Sequence, residues 1–158
     1  MADLKILQGV KASMEDETNP GKPMDKILQD LVNQMYTFYF KVHKYHWNVM
    51  GQNFFDLHKM FNKMYDDVFE NIDTTAEFIR ALGVMVDIRP DTNAGNAKSD
   101  MQMVSDVLKA NKLMLDALYA AEEAAEFYDH CDISNFIADR IAAHNKYNWQ
   151  LSAFKGGN

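Results

Sequence analysis

No proline or glycine interrupts residues 53–82, a run that opens on Asn53 and closes at Gly83. Those boundaries read as one long helix with a capping Asn at its start and a glycine stop. Within it Leu57, Phe61, Met64, Val68, Ile72, Ile79 and Leu82 recur at helical spacing and form a core-facing stripe.

A second line of residues beside that stripe is polar. His58 and Asn62 stand one turn apart, as do Asp73 and Glu77, and Asn62 to Asp73 spans close to three turns, so all four share a face. His58 and Asp73 are nonetheless roughly 22 Å apart at 1.5 Å rise per residue, too far to ligate one metal ion. Two copies of the helix, antiparallel about a two-fold axis, remove the difficulty. The indices of His58 and Glu77 add to the same number as those of Asn62 and Asp73, so one register satisfies both pairs. The axis then passes between Asp67 and Val68 and generates two equivalent sites.

His46, Trp47 and Gly51 lie just before this helix, after another amphipathic run. A reversal at Gly51 brings His46 back beside His58. The expected site takes His46 and His58 from one subunit and Asp73 and Glu77 from the other. Imidazole with carboxylate suits iron(II), and also zinc or manganese. The competing reading has Glu77 paired with Arg80 and Asp73 merely solvated.

The remaining chain supplies three more helices. After Pro23, Met24, Ile27, Leu28, Leu31, Val32, Met35, Phe38, Tyr39 and Val42 make an apolar stripe that runs to about Val49. His43 falls outside the expected constellation and reads as a surface or interface residue. Residues 84–98, with Pro90 and Gly95, form a long connection, as a bundle with one crossover requires. Ser99 and Gln102 make a capping box for a third helix, with Met101, Val104, Leu108, Leu115, Leu118, Ala125 and Tyr128 on its apolar face. After a break at residues 129–132, Ile133, Phe136, Ile137, Ile141, Tyr147, Leu151 and Phe154 line the last helix. The expectation is a single all-α domain, residues 24–154 being a four-helix bundle preceded by an arm, residues 1–23.

Composition narrows function. The formal charge of −7 disfavours a generally basic, nucleic-acid-binding surface. One cysteine, Cys131, allows no disulfide framework, and His130 with Cys131 is too small a set for a zinc site. No apolar stretch is long enough to span a membrane, and no signal core is visible, so a cytoplasmic location is the default. No glycine-rich phosphate loop, nucleophile elbow or Glu-x-x-His pair is present, which disfavours nucleotide chemistry, serine hydrolysis and ordinary diiron oxygenases.

The run His46-Trp47-Asn48-Val49, Gly51 followed by Asn53-Phe54-Phe55, His58 twelve residues after His46, and Asp73 with Glu77 together resemble the Dps family, the miniferritins named as DNA-binding proteins from starved cells. The similarity extends over about residues 24–154. It implies a ferritin-like bundle that assembles from two-fold dimers into a hollow dodecamer, oxidises iron(II) with hydrogen peroxide and stores ferric mineral. The family's inter-subunit ligands fall on His46, His58, Asp73 and Glu77, with Trp47 beside the metals, placed to give up an electron. The resemblance also implies a short helix in the crossover, for which Val86 and Ile88 offer weak support, and acidic three-fold pores drawing on Asp129, Asp132 and Asp139.

Two departures matter. The family places Asp one turn after the second His, where this chain has Asn62, a metal-ligand candidate through its carbonyl oxygen but without charge; Asp66 is the nearest replacement carboxylate. The alternative function is therefore a structural or metal-binding cage with a disabled ferroxidase centre. DNA binding in the family depends on a cationic tail, whereas here Lys5, Lys11 and Lys22 are offset by Asp3, Glu15, Asp16 and Glu17, so DNA binding is not expected.

Overall fold

The computed structural model describes residues 20–157. Expectations placed on the arm before residue 20 lie outside them. Four helices account for most of what is described: α1 (Met24–Asn48), α2 (Phe54–Ala81), α3 (Asp100–Phe127) and α4 (Cys131–Phe154). α1 packs against both α2 and α3, and α3 against α4. The all-α four-helix bundle with one long crossover is as the sequence indicates.

The helix ends follow local chemistry, with one correction. Ser99 accepts from the Gln102 backbone at 3.2 Å and the Gln102 side chain reaches back to the Ser99 N–H at 3.4 Å, completing the capping box. Gly83 takes φ +84, which lets Val84 N–H reach Ile79 O at 3.3 Å and close α2. Asn53 does not cap α2 with its side chain. Its amide instead donates to Asp100 Oδ2 at 2.7 Å, tying the start of α2 to the start of α3.

The apolar stripes of α1 and α2 are the core, with Leu28, Phe38, Leu57, Phe61 and Met64 fully buried. Burying each such side chain contributes about 1.5–3 kcal/mol before ordering costs. On α3 Val104, Leu115, Leu118 and Ala125 are buried as expected, Met101 is exposed, and Met103, Val107, Ala110 and Met114 widen the inward face. α3 has so many small and apolar residues that spacing alone does not single out one face.

One polar cluster sits inside the bundle. His144 Nδ1 donates to Asn111 Oδ1 at 2.7 Å, and Asn111 Nδ2 donates to the His144 carbonyl at 2.9 Å. Next to it, Asp67 of α2 accepts from Arg140 and Tyr147 of α4, each at 2.8 Å, and so fastens α2 to α4. Burial drives His144 down to about 4, the Asp67 charge opposing and Arg140 adding.

The crossover has no helix. It runs extended along α1, held by a side-chain ladder: Asp87, Arg89 and Asp91 donate their backbone N–H groups to Gln29 Oε1, Asn33 Oδ1 and Thr37 Oγ1 at 2.7, 2.7 and 3.0 Å. The match is one of pitch. Four helical residues advance about 6.0 Å and two extended residues about 6.6 Å, so i, i+4 side chains meet alternate N–H groups. Lys44 then binds the Gly95 carbonyl, and Gly95, at φ +83, leaves no room for a Cβ against Tyr45, Asp106 and Lys41.

Candidate metal centre

His46 occupies the last turn of α1 and His58 the second turn of α2, and the Gly51 turn lays them face to face. Their ring centroids are 3.7 Å apart with planes at 19°. Each Nδ1 lies 2.8 Å from the other residue's backbone carbonyl. A carbonyl only accepts, so each Nδ1 carries a proton, and the lone pair an imidazole offers a metal is then on Nε2. A hydrogen bond on the far ring nitrogen fixes the tautomer and plane of a metal-binding imidazole, and here the backbone alone supplies it. Phe54 stacks on His58 at 4.8 Å and helps fix its plane.

Asp73 and Glu77 are exposed on the same face of α2, further along, and neither is bound to any described side chain. The pairing of Glu77 with Arg80 does not occur. Arg80 turns to the Val84 carbonyl at 3.0 Å and to the Met85 sulfur. Among the described residues of one chain, no group of three or more His, Cys, Asp or Glu is gathered closely enough to hold a metal ion.

Asn62 is already engaged. Its Oδ1 accepts from Tyr65 OH at 3.2 Å and its amide donates to the Asp66 carboxylate. His43, expected outside the constellation, is part of its surroundings: its ring packs on Trp47 at 4.0 Å and on Tyr65 at 4.3 Å, and lies 6.3 Å from His46. Burial and the neighbouring His46 lower the His43 pKa, while Asp66 opposes them. Burial, then Asp66 and Tyr39, raise that of Tyr65. Trp47 itself is 65% exposed. His43 and Tyr65 had a readable signal, since His43 precedes His46 and Trp47 by about one turn and Tyr65 follows His58 by two turns.

Asp129, Asp132 and Asp139 are exposed around the α3–α4 junction, with Asp129 at φ +57. Cys131 is exposed beside them.

With this geometry in view, comparison with known proteins is decisive for the family. A ferritin-like domain model matches residues 25–156. The chain belongs to the Dps branch of the ferritin-like family. The DNA protection during starvation protein of Brevibacillus brevis is 29% identical over 136 residues, covering 81% of this chain and 91% of its own. Dps from Listeria innocua superposes with a TM-score of 0.77 at 22% identity, covering 86% of this chain and 96% of the other. Dps from Vibrio cholerae, described as a member of a broad superfamily of ferritin-like diiron-carboxylate proteins, gives 0.75 at 23% identity over 83% and 87%. Among the described residues no helix of this Dps-family chain is long and apolar enough to cross a membrane.

Proposed function

We propose that this Dps-family protein is a ferroxidase: it binds iron(II) as substrate between two subunits, oxidises it with hydrogen peroxide and stores the ferric product inside a dodecameric cage. The observation that carries this reading is the reciprocal Nδ1–carbonyl locking of His46 and His58, which leaves two adjacent Nε2 atoms without a partner among the described residues. Asp73 and Glu77, uncommitted on the same helix face, come from the two-fold mate in the antiparallel register. Iron(II) is the substrate the family implies, and zinc or manganese fits the same donors.

The dimer face has the right character. Phe55, Phe69 and Trp47 are exposed at 82%, 54% and 65%, and Ile88 of the crossover, also exposed, lines a surface cavity with Phe69. Large apolar side chains left exposed along one helix are usually covered by a partner. Peroxide takes two electrons, one from each of two iron(II) ions, so the reaction removes both ingredients of hydroxyl-radical formation. With a charge of −7 per chain, protection by iron and peroxide removal is favoured over DNA binding, and the acidic junction of Asp129, Asp132 and Asp139 suits cation entry.

A second reading is a cage whose centre has been disabled. It draws on Asn62, whose carbonyl is occupied by Tyr65 and whose amide occupies Asp66, leaving no carboxylate free one turn after His58. The two separate on one experiment: anaerobic iron(II) loading followed by peroxide while ferric absorbance is recorded, with Glu77→Ala as control. Rapid oxidation lost in the control upholds the ferroxidase. Slow oxidation equal in both proteins upholds the disabled cage.

A further inference from the structure

We infer that Tyr65 is a redox-active residue of this centre, supplying the second electron a peroxide requires when a single iron(II) is held. The inference rests on the ferroxidase reading. Its starting point is the juxtaposition of Asn62 and Tyr65: where the family pattern has a charged ligand, this chain has a neutral amide whose carbonyl is occupied by a phenol at 3.2 Å. A neutral ligand holds the second of two close cations weakly. Peroxide then meets one iron(II), which gives one electron and leaves the equivalent of a hydroxyl radical unless another donor is at hand.

Tyr65 is placed to be that donor. Its ring meets His46 edge-on at 5.1 Å between centroids and stacks on His43 at 4.3 Å and 29°. His43 in turn packs on Trp47 at 4.0 Å. The rings therefore form a continuous path of contacts from His58 and His46 through Tyr65 and His43 to an indole exposed to solvent. Tyrosine and tryptophan are the side chains on this path that give up single electrons readily. Packing alone would account for one such contact; it does not require a phenol whose one hydrogen bond among the described residues points at the substituted ligand.

The step balances. Iron(II) gives up one electron and Tyr65 a second, together with its phenolic proton. The O–O bond breaks, one oxygen leaving as water with that proton and the other as hydroxide, so iron ends ferric and Tyr65 ends as a neutral phenoxyl radical. The next iron(II) to arrive reduces the phenoxyl, which takes a proton from water, and the overall ratio remains two iron(II) per peroxide.

The test uses the assembled protein loaded anaerobically with one iron(II) per histidine pair, given one equivalent of peroxide and freeze-quenched for paramagnetic resonance. A tyrosyl signal that appears with ferric iron, narrows on ring-deuterated tyrosine and vanishes in Tyr65→Phe is the expected result. Spin-trapped hydroxyl radical should rise in the same variant. Ferric iron formed without a tyrosyl signal, or with the same signal in Tyr65→Phe, overturns the role of Tyr65 and leaves the ferroxidase standing. If no ferric iron forms, the ferroxidase reading fails and this inference with it.

Discussion

Two histidine clusters use the same anchor to different ends. His46 and His58 are fixed through Nδ1 on backbone carbonyls at 2.8 Å, and His144 is fixed through Nδ1 on Asn111 at 2.7 Å. The first pair joins the end of α1 to the start of α2, and the exposed carboxylates of α2 with no described partner, Asp73 and Glu77, lie further along that helix. His144 is 3% exposed, and the carboxylate near it, Asp67, is consumed by Arg140 and Tyr147. The anchoring hydrogen bond therefore does not distinguish a binding site from a core polar group. What distinguishes them is whether Nε2 and a free carboxylate can meet in a place a cation can reach.

The largest effect tests the edge cluster across subunits. His58→Ala and Glu77→Ala should each reduce peroxide-driven iron oxidation to the uncatalysed rate. Co-assembled in one cage, the two variants form mixed dimers in which one of the two sites has every ligand, and oxidation should return. Failure of the mixture to recover would place all ligands in one subunit. His144→Gln, which keeps a polar side chain in the core, should leave the oxidation rate unchanged.

The core cluster should show itself in stability against pH. Unfolded His144 takes up a proton near 6.5, whereas the folded residue resists until about 4. Between those values the unfolded state binds more protons, so stability falls as pH falls through this window and levels off below it. At about 1.4 kcal/mol per pH unit the loss reaches about 3 kcal/mol. Urea unfolding of the native protein and His144→Leu at several pH values isolates it, because carboxylates common to both cancel. Equal slopes in both proteins would show that Asp67, Arg140 and Tyr147 already accommodate a charged ring.

A somewhat smaller effect comes from removing the core anchor alone. Asn111→Ala strands a buried Nδ1–H and the His144 carbonyl, at a cost of about 1–3 kcal/mol. Urea midpoints read it directly. Iron oxidation by the intact cage should not change, since the edge cluster draws its acceptors from its own backbone.

Much of this organisation was legible in the sequence because helical periodicity is strong where it matters. The stripes of α1 and α2, the Ser99–Gln102 cap and the shared face of His58, Asn62, Asp73 and Glu77 all follow from spacing. Three things did not. His144 reads as one more polar residue, because nothing local says that an Asn on another helix completes it. The extended crossover depends on a pitch match between Gln29, Asn33 and Thr37 and N–H groups more than fifty positions away. Tyr65 and His43 were on the right faces, yet their roles rest on ring contacts between two helices, which periodicity within either helix does not encode.

The smallest effect concerns Asn62 and sharpens the contrast most finely. Asn62→Asp adds a negative charge beside Asp66 and breaks the amide's donation to it. At a half-buried position open to solvent one added charge contributes about 1 kcal/mol, so iron(II) affinity at the second position should rise by about fivefold. Titration of iron(II) binding under anaerobic conditions measures this apart from the rate of oxidation. If the substitution instead turns a slow protein into a fast one, the edge cluster was held inactive by a neutral amide, and the native chain is a cage that keeps its histidines without using them. If affinity rises modestly and the rate barely changes, the site works with one firmly held iron. The added carboxylate then supplies a counter-charge that the native chemistry does without.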